Sequence, residues 1–315
     1  MQNAFKPTAG ATPPSWSGGP GCWTSSSTAC SWVPERPGWT AGPWQEFDPE
    51  QLDINDMNME LALLLPAPTA IEHRRGSEAL TEEITNRMPP GLRRDFRSYL
   101  LAGLDGPATV EADVAAAMAA PYLWLTRRIG SEGLSLTAAG WLPPAVVREA
   151  VTELNWAKEW IGKANGEDQT LPVLQLRESA QRLGLIRKIK GRLVLASAAK
   201  RLLDDPAGLW LFLARAVAHR HSHDSERDAT LLLLLEVAAG KRAGWADSLD
   251  AVSFGLGALG WSTRTRAELE PNSVRALLVN SREVLLNLGV FDHRIGLEAV
   301  VKAPGQAFAR AALHA

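Results

Sequence analysis

The chain has 315 residues, 46% hydrophobic and 22% charged, with 33 basic and 35 acidic residues and a formal charge of −2. That balance suits one large domain or two of ordinary size, and it excludes a collagen-like, disulfide-dense or wholly disordered chain. The near-neutral total exerts no global pull toward nucleic acid or membrane.

Residues 1–50 depart from the average: they hold no Leu and no Ile, yet 5 of the 12 Trp and 8 of the 20 Pro. Val33 is their only branched aliphatic residue. Such a segment lacks the apolar surface that offsets the entropy of ordering, so a disordered Pro/Gly/Ser/Trp-rich tail is expected. Its tryptophans stand singly, and in a functional reading they would anchor a partner. Cys22 and Cys30 have seven residues between them and no nearby His, a spacing that suits neither a disulfide framework nor a zinc site. Free thiols in a reducing compartment are expected. The N-terminus has one lysine, Lys6, and no apolar core behind it, which does not read as a secretory signal. A cytoplasmic location follows as the expectation.

Residues 51–108 read as a transitional helical region. Leu61 to Leu65 ends a short helix before Pro66, and Arg93 to Leu104 forms another, entered through Pro89-Pro90.

From 109 onward the pattern is regular. Ala112–Ile129 predicts a helix and Leu134–Leu136 a short strand. Pro144 opens a helix to about Trp160. Thr170 caps a helix over Pro172–Leu183, ended by Gly184. Leu185–Ile189 and Arg192–Ala196 flank a tight Lys190-Gly191 turn, a hairpin signal. Ser197 caps a further short helix, which Asp204, Asp205 and Pro206 end. Helix, short strand, helix, helix, hairpin is the element order of a winged helix.

Residues 228–315 echo that unit. Arg177-Glu178…Leu183-Gly184-Leu185 returns 105 residues later as Arg282-Glu283…Leu288-Gly289-Val290. Asp228–Ala239 and Trp245–Leu259 supply two more helices, Pro271 opens a long one and Pro304 the last. The expected fold is mainly α with short β-hairpins, as tandem winged-helix-like units over 109–218 and 228–315, joined by a His-rich linker at 219–227.

Charge concentrates in the first wing. Residues 171–203 carry eight basic side chains and one acid, Glu178. A basic hairpin suits phosphate contacts, which assigns Arg187, Lys188, Lys190 and Arg192 to a duplex DNA backbone. Val173, Leu176, Ala180 and Leu183 form the buried stripe of the preceding helix. Its opposite ridge places Gln175 and Arg182 for base edges. Two bland readings stand beside this one: lysines that protect an edge strand, and a Glu178–Arg182 pair at helical spacing. The second wing, Asp292-His293-Arg294, has mixed charge and suits packing or dimerisation.

His219, His221, His223 and Asp224 could hold zinc or nickel only if alternating positions converge, as on an extended strand. A solvated linker is the expectation, with no metal or other cofactor. No Gly-rich phosphate loop, HExxH motif or nucleophile elbow is present, so the chain reads as non-enzymatic. The glycines Gly255, Gly257 and Gly260 suit helix packing or a helix end.

LTAAGWLPPAVVREAV (Leu136–Val151), WIGKANGEDQTLPVLQLRESAQRLGLIRKIKGRLVL (Trp160–Leu195) and LLDDPAGLW (Leu202–Trp210) resemble the C-terminal region of the actinobacterial Ri-plasmid open-reading-frame-three-like family. The resemblance extends faintly to the end of the chain and does not include the family's N-terminal domain. It implies no activity and no site residue. The function expected is DNA binding and regulation through the basic wing. The alternatives are a protein-interaction or dimerisation module anchored by Trp141, Trp156 and Trp160, and a metal-dependent enzyme using His219 to His223.

Overall fold

The computed structural model describes residues 82–158, 162–240, 245–263, 266, 269–291 and 301–314. The expected tail over 1–50, both cysteines, Leu61 to Leu65, Trp160 and the hairpin at Asp292-His293-Arg294 lie outside these residues.

The fold is mainly helical with one small sheet. In chain order the elements are α1 (Pro90–Leu104), α2 (Ala112–Ile129), β1 (Leu134–Ser135), α3 (Pro144–Glu153), α4 (Leu171–Arg182), β2 (Ile186–Ile189), β3 (Arg192–Leu195), α5 (Ser197–Arg201), α6 (Pro206–His219), α7 (Asp224–Ala239), α8 (Trp245–Ala258), α9 (Pro271–Asn287) and α10 (Ala303–Leu313). Proline is the first residue of α1, α3, α6 and α9, where its missing N–H has no intrahelical partner to lose. The three strands are antiparallel in the order β1-β3-β2.

Three local expectations change. The helix from Pro144 stops at Glu153, because Asn155 is left-handed at φ 57°, and a 3₁₀ turn over Trp156–Lys158 follows. Thr170 does not cap α4 with its side chain; its hydroxyl donates to the Gly166 carbonyl at 2.7 Å. Ser197 does not cap α5 either, being its first residue after Ala196. The working cap nearby is Asp205, whose carboxylate accepts from the Gly208 N–H at 2.8 Å and starts α6.

The apolar run Leu231–Leu235 sits in the middle of α7, which is buried on all sides from Asp228 to Val237 and Ala238. A helix with no solvent face needs neighbours all round, and α1, α8, α9 and α10 all pack on it. Gly255 of α8 makes one approach possible, since a Cβ there would meet the Leu232 side chain at 2.9 Å. Helices α2 and α10 in turn pack on α6, and α4 packs on α9. One buried cluster therefore runs from Ile84 to Leu313 and draws on helices of both expected units. No helix among the described residues is long and apolar enough to cross a membrane.

The echo in sequence is an echo in geometry at two helix ends. After α4 the Gly184 N–H donates to Gln181 O at 3.0 Å and the Leu185 N–H to Ala180 O at 2.9 Å. After α9 the Gly289 N–H donates to Leu286 O at 3.0 Å and the Val290 N–H to Leu285 O at 3.0 Å. Both glycines are left-handed, at φ 73° and 66°, as this helix end requires. Arg177 lies 5.8 Å from the Trp141 ring centroid, and Arg282 lies 5.2 Å from that of Trp245. Phe291 bridges to Val301 where Ile186 pairs with Leu195 in the first copy.

Candidate nucleic-acid interface

The hairpin is built by a two-residue turn. Lys190 and Gly191 have φ 47° and 75°, the pair of positive values that joins two right-twisted strands with least strain. Register follows: Ile186 faces Leu195, Arg187 faces Val194, Lys188 faces Leu193 and Ile189 faces Arg192. Ile186, Leu193 and Leu195 are buried and anchor the base of the hairpin in the core. Arg187, Lys188, Lys190 and Arg192 are all exposed.

The pairing puts Arg187 and Arg192 on one face of the hairpin, Lys188 on the other and Lys190 at the tip. Arg192 is steadied from beneath, donating through Nη2 to the carbonyls of Glu132 at 2.6 Å and Gly133 at 3.1 Å. Those acceptors are backbone carbonyls and bring no counter-charge. The Lys188 ammonium lies over the turn after β1, where a Cβ at Gly140 would meet its Nζ at 2.5 Å. Among the described residues no carboxylate forms an ion pair with Lys188, Lys190 or Arg192. Exposed Lys200 and Arg201 of α5 follow directly after β3. Ile189, 49% exposed, is an apolar side chain among these charges.

The helix before the hairpin is placed differently from its sequence pattern. Val173, Leu176, Ala180 and Leu183 are buried, as the stripe requires. The ridge opposite is covered by α9. Gln175 donates through Nε2 to Glu283 Oε1 at 3.3 Å, and Arg182 forms an ion pair with Glu283 Oε2. Glu178 holds Arg182 only at 4.0 Å, so the i,i+4 pair is the weaker of its two contacts. Both side chains are half-buried, and each has its partner in α9. The sequence shows Glu283 only as part of the echo, because no periodicity within α4 reports a contact with an acid 101 positions beyond Arg182.

A second basic side chain of the same stretch is also neutralised from outside it. Arg177 is 8% exposed and pairs with Glu167, which is fully buried and also accepts from the Leu142 N–H at 2.6 Å. The surface charge of 171–203 therefore resides in the hairpin and α5.

The histidines do not converge. His219 ends α6, the His221 Nε2–H donates to Val217 O at 3.0 Å, and His223 precedes α7. Burial holds the His221 imidazole below its ordinary pKa. Among the described residues no three His, Cys, Asp or Glu side chains gather as a metal site. Of the aromatic anchors expected for a protein partner, Trp156 is buried at 6% exposure and Trp141 is half-buried beside Arg177. Phe254 of α8, 65% exposed, was not among them.

Compared with known proteins, the chain matches no family model, no curated protein and no solved structure.

Proposed function

We propose that the chain binds nucleic acid through the phosphate backbone, using the hairpin of β2 and β3 as a basic wing. What carries the reading is the joint exposure of Arg187, Lys188, Lys190 and Arg192 on a hairpin whose base is fixed in the core. Fixed cations spaced along a strand suit a periodic anion, and releasing counterions supplies the free energy. The order of α2, β1, α3, α4, β2 and β3, with β1 beside β3, supports a winged-helix-like reading of this part of the chain. The second copy, from α9 to α10, then serves as a packing partner, since Glu283 occupies the helix ridge a winged helix would use for bases.

This reading is of a binding protein with weak sequence preference, because phosphate contacts position a protein without reading bases. It is also regulatory in kind, with no chemical step. The resemblance to the Ri-plasmid open-reading-frame-three-like family adds no activity to it.

Retention of random-sequence duplex DNA by the full chain at rising salt tests the reading. Binding at low salt that falls steeply with salt is expected, as is its loss in the Lys188→Ala/Lys190→Ala/Arg192→Ala variant. Removing these contacts flattens the slope of log K against log salt by about 2–3, at about 0.9 per phosphate contact. No retention at low salt, or equal retention by the variant, overturns it.

A further inference from the structure

The two faces of the β2–β3 hairpin have different surroundings. Side chains alternate along a strand, so Ile186 and Lys188 share one face with Leu193 and Leu195, and Arg187 and Ile189 share the other with Arg192 and Val194. The first face runs into the core, where Ile186, Leu193 and Leu195 are buried. The second faces solvent. Ser135 of β1 pairs with Arg192, so Ser135, Arg192 and Ile189 form one exposed row across the three strands.

Ile189 is the apolar member of that row. It is 49% exposed on β2, an edge of the sheet, where charged side chains ordinarily protect a strand from aggregation. Its neighbours in sequence and register, Lys188, Lys190 and Arg192, follow that rule. Apolar area at the end of a cationic hairpin has a use where a polyanion brings an apolar surface to it. Branching at Cβ restricts χ1, so little rotamer entropy is lost when Ile189 makes such a contact.

Duplex DNA has such a surface among its base edges, the thymine C5 methyl group, which lines the major groove. That groove is about 12 Å wide and admits a ribbon of two strands about 4.8 Å apart, whereas the minor groove is about 6 Å wide. Gln175 and Arg182 of α4 are engaged by Glu283, which leaves base edges to the hairpin. Duplex RNA lacks both features: its major groove is deep and narrow, and uracil has no methyl group.

We propose that the solvent face of the hairpin enters the major groove of duplex DNA and that Ile189 packs on thymine methyl groups, with Lys190 and Arg192 on the flanking phosphates. This rests on the basic-wing reading and adds a preference to it, for DNA over RNA and for thymine at the contacted positions.

Fluorescence anisotropy of the full chain with labelled duplexes at one salt concentration tests it, using one sequence made with thymine and again with uracil at every thymine position. The exchange removes only the methyl groups. Wild type binds the thymine duplex about fourfold more tightly for each methyl group covered. It binds the RNA duplex of that sequence more weakly than either. Ile189→Ala binds the two DNA duplexes equally, and its slope of log K against log salt stays that of wild type, because no cation is removed. The base exchange needs no variant, so the test holds even where Ile189→Ala fails to fold. Equal binding of the two DNA duplexes by wild type overturns the proposal and leaves phosphate binding by the wing intact. A thymine preference that persists in Ile189→Ala overturns it too. Binding to none of the duplexes overturns the basic-wing reading as well.

Discussion

The Glu283 carboxylate receives both Gln175 and Arg182, the two side chains that the helical pattern of α4 aims outward. One acid of α9 thus converts a candidate base-reading ridge into an interhelical contact. Glu283→Ala releases both donors. Arg182 is a third exposed and can be rehydrated, so the loss of stability is modest, about 1 kcal/mol by urea unfolding. Removing the acid also raises duplex DNA retention at low salt, because the surface beside the wing loses a negative charge and Arg182 keeps only its 4.0 Å contact with Glu178. Retention that stays level while stability falls separates the ridge from the DNA face.

Gly191 tests the hairpin by its backbone alone. Its φ is 75° and a Cβ built there has nothing within 4 Å, so a substitution costs conformation and not space. Gly191→Ala lowers stability by about 1 kcal/mol, and Gly191→Val by more, because branching worsens the left-handed strain. DNA retention falls in parallel as the register that spaces Arg187, Lys188 and Arg192 loosens. Unfolding curves and salt-dependent retention of the two variants check both statements.

The parts legible in sequence are those whose cause is local. The Lys190-Gly191 turn, the glycine ends of α4 and α9 and the limits of α2 each follow from one residue's allowed conformation or from one helix's period. Non-local causes left weaker traces. Glu167 lies in the polar stretch Gly166 to Thr170 and is wholly buried, because Arg177 and the Leu142 N–H meet it there. The candidate site divides the same way: the exposure of the wing follows from its hairpin, whereas the fate of Gln175 and Arg182 depends on a helix a hundred residues on. Asp228 is a further case, an acid buried next to the apolar run of α7, held by Arg87 at 3.0 and 2.6 Å and by the Trp261 indole at 2.8 Å.

The Arg177–Glu167 pair makes the sharpest stability prediction. Both side chains are out of water, at 8% and 0% exposure. Glu167→Ala leaves a buried guanidinium with only the 3.8 Å contact to Glu178 as counter-charge and the Leu142 N–H without its acceptor, a loss of about 3 kcal/mol. Glu167→Gln keeps an acceptor for Leu142 and loses less. Arg177→Met in the Glu167→Gln background removes the stranded charge and recovers part of the difference. A double-mutant cycle by chemical unfolding measures the coupling, and additive losses contradict it.

His221 gives the fold a pH dependence with a definite sign. The imidazole is half-buried, and burial is the largest influence on it, holding its pKa below the ordinary value of about 6.5 against the opposing pull of Val217 O and Glu226. The unfolded chain therefore binds a proton at His221 at a higher pH than the folded chain does. Between the two pKa values the unfolded state carries more protons, so stability rises with pH there. Full stability is present above about 6.5 and declines as pH falls below it, by at most about 1.4 kcal/mol per pH unit for one site. The decline levels off once the folded form is protonated too. His221→Gln keeps a donor for Val217 O and removes the titration, so its unfolding free energy is flat across this window. Urea unfolding of both proteins at stepped pH measures the difference, and equal slopes assign the dependence elsewhere.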